Sequence, residues 1–277
     1  MLSERPRIGL ALSGGAARGM AHVGVLRALQ ENDIRIDCLA GTSAGSIVGG
    51  AFAAGLSIEA ITGFGREMRW RDIGRVTMSR LGIQSNERLE QYMRARLPVT
   101  RFEHLKIPFA VVATELKTGA AVVMRDEGDV PFAIRASCAI PGWYVPVVDQ
   151  NGRQLVDGGL VAVVPSTMAR ALGADIVIAV DVNSEGATFI GPTSSVIGVL
   201  LQSILLVQKT ASHYQREVSD LVISPKVGHI RWDEMARAEE LMALGYDETM
   251  KRMPDIRALI HELATRRHTS HKIEIPA

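Results

Sequence analysis

The chain has 277 residues, is 47% hydrophobic and 22% charged, and carries a formal net charge of +1. This is the composition of an ordinary soluble globular protein able to bury a substantial core, and its near-neutral balance excludes nucleic acid as an expected partner. Two cysteines, Cys38 and Cys138, stand in apolar surroundings without ligand-type spacing, so neither a disulfide framework nor a zinc site is expected, and no metal or cofactor.

Arg5 and Arg7 precede an apolar run that Ser13, Arg18 and His22 interrupt. That is the pattern of neither a secretory signal nor a membrane span, and a cytoplasmic location is the expectation. "RIGLALS" at residues 7–13 reads as a short buried strand, followed at once by the loop "GGAARG". "MAHVGVLRALQEN" then spaces Met20, Val23, Leu26 and Leu29 as a helix does. "IDCLA" is a second run of strand length ending at Gly41, and a small-residue helix is expected from Ser46 to about Gly55. Strand, helix, strand and helix in this order imply parallel strands joined by right-handed crossovers.

Residues 57–105 read mostly as helices and polar connections. From Arg66 to Arg101 nine arginines stand against four acids, Glu67, Asp72, Glu87 and Glu90. The reading is a solvated helical face, with an anionic membrane surface or acidic substrate as the alternative. "PFAVVATEL" and "AAVVMRD" are strands joined by a "KTG" hairpin turn. "RQLVDGGL" and "ADIVIAVDV" follow as strands around the helix-like "PSTMARALGA", and a flexible stretch begins at Asn183. Helices are expected over 195–217, 232–252 and 254–266, with the strand "LVISP" between the first two. The segment 194–208 is apolar for a surface helix and reads as a core or dimer helix, with membrane docking or acyl-chain lining as alternatives. The predicted architecture is one α/β domain over 1–277, a motif-bearing core at 7–185 and a helical C-terminal third at 186–277.

Three motifs carry chemistry. In Gly41-Thr42-Ser43-Ala44-Gly45 the serine sits on a sharp strand-to-helix turn, at a helix N-terminus whose N–H groups favour a developing anion. Asp157, followed by Gly158 and Gly159, ends an apolar run and is a candidate base or an Asp-Gly turn. The loop Gly14-Gly15-Ala16-Ala17-Arg18-Gly19 aims backbone N–H groups at an anion. It lacks the second glycine of a dinucleotide fingerprint, so an oxyanion hole is favoured over nucleotide binding. Arg18 is read as supporting the loop or binding substrate, and His22 as packing. His104, His213, His229, His261, His268 and His271 all lack a strand-end setting, which weakens a Ser-His-Asp triad.

Together with Ala136-Ser137 through Pro141, these motifs resemble the patatin-like phospholipase family, in particular its short bacterial cytoplasmic members. The resemblance spans roughly 7–185. It implies a three-layer α/β/α fold with a mainly parallel central sheet and a lipid acyl hydrolase with a Ser–Asp dyad and no histidine. Ser43 would be the nucleophile, Asp157 the base, and Gly14, Gly15 and Ala16 the oxyanion hole. Ala16 replaces a glycine often found there. The partners implied are a lipid or other ester, with peripheral contact at the inner membrane face. Acyl transfer or thioester cleavage by the same dyad, and a non-catalytic regulatory role, are the rival functions.

Overall fold

The computed structural model describes residues 5–184 and 195–273, so most of the expected flexible stretch lies outside the described residues. The chain runs β1 (Ile8–Leu12), α1 (Ala21–Glu31), β2 (Cys38–Thr42), α2 (Ala44–Ala53), α3 (Ile58–Glu67), α4 (Trp70–Ile73), β3 (Arg75–Val76), β4 (Gly82–Ser85) and α5 (Glu87–Arg96). There follow β5 (Phe109–Glu115), β6 (Ala121–Met124), α6 (Val130–Ser137), β7 (Gly142–Tyr144), β8 (Val147–Val148), β9 (Gln154–Asp157), α7 (Ser166–Ala171), β10 (Ile176–Val180), α8 (Val196–Arg216), β11 (Leu221–Ile223) and α9 (Ala238–Ile273).

The central sheet has the order β11-β10-β1-β2-β5-β9-β8, with β6 also on β5. Its first five strands are parallel, β6 and β9 run antiparallel to β5, and β8 pairs antiparallel with β9. Parallel strands must be covered on both faces, which is why they read as unbroken apolar runs. Along β1 the side chains alternate between layers. Ile8, Leu10 and Leu12 join one cluster with Val23, Leu26 and Leu29 of α1 and Ile256 of α9. Ala11 joins a second, small-residue cluster with Ala40, Val177 and Ala169 of α7. This is a three-layer α/β/α fold with a mainly parallel sheet. Among the described residues no helix is long and apolar enough to cross a membrane.

Two regions differ from the sequence reading. Within 57–105, β3 and β4 form an antiparallel hairpin, and β4 pairs with β7 in a separate three-stranded sheet. Its strands are short, exposed in β3 and mostly half-buried in β4, so they lack the apolar runs that marked the others. The arginine-rich stretch is partly paired internally: Arg94 binds Asp129 and Glu90, and Arg96 lies over the Tyr92 ring. At the C-terminus the helices expected over 232–252 and 254–266 are one helix, α9, with Pro254 inside it. A proline removes one helical hydrogen bond. Burial of Leu241, Met242, Met253 and Ile256 on both sides of it outweighs that loss.

Helices α1 and α9 meet through glycines. A Cβ on Gly24 would overlap the Met242 carbonyl oxygen, and one on Gly245 would overlap that of Ala21. Because backbone stands in the way, Gly24→Ala must push the helices apart. Chemical denaturation should show the variant about 1–3 kcal/mol less stable.

Candidate active site

The carboxyl end of β2 runs straight into α2, and Ser43 is the residue between them. Its backbone has φ 50° and ψ −121°, in the left-handed half of conformational space that costs a serine about 1–3 kcal/mol. Close packing imposes the turn. A Cβ on Gly45 would overlap the Leu12 carbonyl oxygen at the end of β1, and one on Gly41 would reach the Gly45 carbonyl oxygen at 2.6 Å. Hydrogen bonds hold the strained residue on both sides. Its N–H donates to Ser137 Oγ at 2.8 Å, and that hydroxyl donates to Val112 O at 2.6 Å. Its carbonyl accepts from Ser46 N and Ser46 Oγ at 2.8 and 2.6 Å.

The loop after β1 is fastened in the same manner. Ser13 N donates to Val180 O at 3.0 Å, and Asn183 Nδ2 donates to Gly14 O at 2.7 Å. His22 is buried and donates from Nε2 to Ser13 O at 2.9 Å. Burial lowers its pKa to about 4, so the ring is neutral at pH 7. Arg18, fully buried, donates from Nε to Ile230 O at 2.6 Å and from Nη2 to Gly228 O at 3.4 Å. These bonds tie the loop to the 228–230 segment, and Arg18 also lines the cavity described below. Gly19 sits in the short turn beside Arg18, against the Cβ of Ala44.

Gly14 is corrected by the same hydrogen bonds. Its N–H donates to Val163 O at 3.1 Å, so it is not a spare donor for an oxyanion. Ala17 N–H is likewise engaged, by Trp232 O at 2.8 Å. Gly15 and Ala16 are the loop residues whose N–H groups have no acceptor among the described residues. Ala16 is held at φ 49°, which costs an alanine about 1–2 kcal/mol relative to the right-handed region.

Asp157 reaches Ser43 by strand register. Thr42 is level with Val112, and Ala113, the next residue of β5, is level with Asp157. Strand β9 is antiparallel, so Asp157 ends a strand that runs into the sheet from the carboxyl edge of the parallel strands, not out towards it as in a simple βα site. It comes level with the serine because β5 runs on past the end of β2. Its N–H donates to Ala139 O at 2.9 Å, and its carbonyl accepts from Thr114 Oγ1 at 2.9 Å. Oδ1 accepts from Gly159 N at 2.7 Å. Gly158 packs on the Val112 carbonyl, and Gly159 against Gln208 and Asp157 itself. Burial raises the Asp157 pKa to about 6, against the opposing pull of the Gly159 N–H and the Ser43 hydroxyl.

One cavity brings Ser43, Asp157, Gly14, Gly15, Ala16, Arg18 and Gly159 together. Gly41, Gly45, Gly158 and Gly19 stay behind it as packing positions. Sequence reasoning missed several of its walls. Asn183 and Trp232 line it without having been singled out, while Leu201, Ile204, Leu205 and Gln208 of α8 belong to the segment for which acyl-chain lining was an alternative reading. The signal for Gln208 was a polar residue at helical spacing from Leu201 and Leu205. Ser137 lay within a motif already noticed, but its link to the Ser43 N–H needed the fold. None of the histidines lines this cavity among the described residues.

The fold and site define an α/β protein with a serine on a strained strand-to-helix turn facing a buried aspartate. Comparison gives the family. The patatin-like phospholipase family model matches residues 10–170. An uncharacterized NTE family protein of Mycobacterium tuberculosis is 38% identical over 188 residues, 67% of this chain and 51% of the relative. Lysophospholipase NTE1 of Mycosarcoma maydis is 38% identical over 185 residues, 64% of this chain and 10% of that protein. The chain thus spans about half, or far less, of the length of these relatives. VipD from Legionella pneumophila shares the fold, with a TM-score of 0.54 and 16% identity over 91% of this chain and 68% of that one. The chain belongs to the patatin-like phospholipase family.

The Asp157 pKa has a consequence for stability. An acid whose folded pKa of about 6 exceeds its unfolded value of ~3.9 favours folding at low pH and loses that contribution as pH rises through 6. The penalty reaches about 3 kcal/mol by pH 7, and asparagine escapes it. Denaturation of Asp157→Asn beside wild type should show the variant gaining relative stability between pH 4 and 7.

Proposed function

We propose that the protein hydrolyses carboxylic esters of lipids, with Ser43 as nucleophile and Asp157 as its base. The observation that carries this reading is one cavity shared by Ser43, a buried Asp157 with a pKa raised to about 6, and Gly15 and Ala16, whose N–H groups are unpaired among the described residues. A base poised near the working pH is what proton abstraction from a serine requires.

In the proposed sequence Asp157 accepts the Ser43 proton as Oγ attacks the ester carbonyl. The carbonyl oxygen becomes an oxyanion held by Gly15 and Ala16 N–H at the entry to α2. Collapse breaks the bond to the alcohol, which leaves with the proton carried by Asp157. Water then gives a proton to Asp157 and attacks the acyl-enzyme, and Ser43 Oγ recovers the proton as the acid departs. His22 and Arg18 fix the loop. The exposed Val196, Val199, Leu206 and Val207 of α8 support peripheral contact at the cytoplasmic membrane face.

Hydrolysis of p-nitrophenyl and phospholipid esters tests the reading. Ser43→Ala and Asp157→Asn, each folded, are expected to lose at least about 10³-fold in kcat/KM. Equal rates in either variant and wild type would contradict it. Because the carboxylate form is the base, kcat/KM should climb with pH and level off above about 6. A profile falling through that range would exclude Asp157 as the base.

A further inference from the structure

A second cavity also opens on Ser43. The two cavities have only Ala16, Ser43 and Ile140 in common. The serine therefore stands where they meet, and the two sides differ in chemistry. Asp157, Gly15, Asn183 and Gln208 line the outer cavity alone, beside an apolar wall of Leu201, Ile204 and Leu205. The inner one is walled by apolar groups such as Ile47, Val48, Ile61, Phe64 and Leu89.

This partition fixes the orientation of an ester. When Ser43 Oγ has bonded to the carbonyl carbon, the departing oxygen must meet the proton on Asp157, so the alcohol lies in the outer cavity. The remaining substituent, the acyl chain, lies on the side of Ser43 away from Asp157, where the inner cavity opens. One wall of that cavity is the side of α2 formed by Ala44, Ile47, Val48 and Ala51, a stripe at helical spacing that starts beside the nucleophile. At a rise of ~1.5 Å per residue, the stretch from Ser43 to Ala51 covers about 12 Å. An extended alkyl chain with C–C bonds of ~1.5 Å advances roughly 1.25 Å per carbon, so this wall matches about ten carbons.

Building on the ester-hydrolase reading, we infer that the inner cavity takes the acyl chain and that Ala51 sets its length. The preferred substrates are medium-chain acyl esters. Ala51 is fully buried, and a larger side chain there shortens the space along α2. Each methylene denied an apolar site forfeits roughly a fourfold factor in affinity.

The test uses Ala51→Val and Ala51→Leu, the first adding only two methyl groups so that a folded variant is in hand. Decanoate and butyrate are titrated against wild type and both variants by tryptophan emission, since Trp70 lines the inner cavity. In parallel, kcat/KM is measured for p-nitrophenyl decanoate and butyrate. Decanoate should bind wild type more tightly than butyrate. The decanoate-to-butyrate ratio should fall stepwise, at least tenfold for Leu, in both binding and hydrolysis. Ratios unmoved in folded variants, or no preference for decanoate in wild type, would overturn the assignment. Binding ratios that shift while no variant or wild type hydrolyses either ester would support the acyl cavity and sink the hydrolase reading instead.

Discussion

The contact on which the site depends is the approach of the first turn of α2 to the end of β1, where Gly45 lies on the Leu12 carbonyl. A helix this close to the sheet leaves its preceding residue no ordinary conformation, and Ser43 takes the strained one at φ 50°. The strain persists because Ser137, Ser46 and the neighbouring strands over-determine it. The same approach places the N-terminus of α2 beside the loop of Gly15 and Ala16. Positive backbone dipole, N–H groups unpaired among the described residues, and hydroxyl thus come to one point through packing.

Burial governs the electrostatics around that point. Asp157 loses water and is pushed towards the neutral range, while two donors keep it ionisable. Burial acts on His22 in the opposite sense, holding it neutral with its Nε2–H on Ser13 O. Arg18 is taken up by the carbonyls of the 228–230 segment. His22 is thus neutral and Arg18 is bonded to carbonyls, and among the described residues lining the cavity Asp157 is the group that titrates near neutral pH.

What the sequence made legible followed from local rules. Buried parallel strands read as apolar runs, and the glycines around Ser43 and Asp157 marked turns whose packing excludes a Cβ. Pro254 misled because its local penalty is outweighed by the apolar side chains α9 buries against α1. The β3–β4 hairpin escaped notice since its short strands carry no core pattern. Gly14 looked identical to Gly15 as a donor, and only the position of Val163 separates them. The level at which Asp157 meets Ser43 is a property of register across β2, β5 and β9, and register between distant segments is not written in any one of them.

The central claim is that Ser43 itself forms the covalent bond to the acyl group. Its most direct test is peptide-level mass spectrometry of wild-type protein after reaction with a fluorophosphonate, beside Asp157→Asn. The account predicts a single phosphonyl adduct on the peptide containing Ser43, formed far more slowly when Asp157 is replaced. An adduct on another residue, or none on a folded protein that hydrolyses esters, would contradict it.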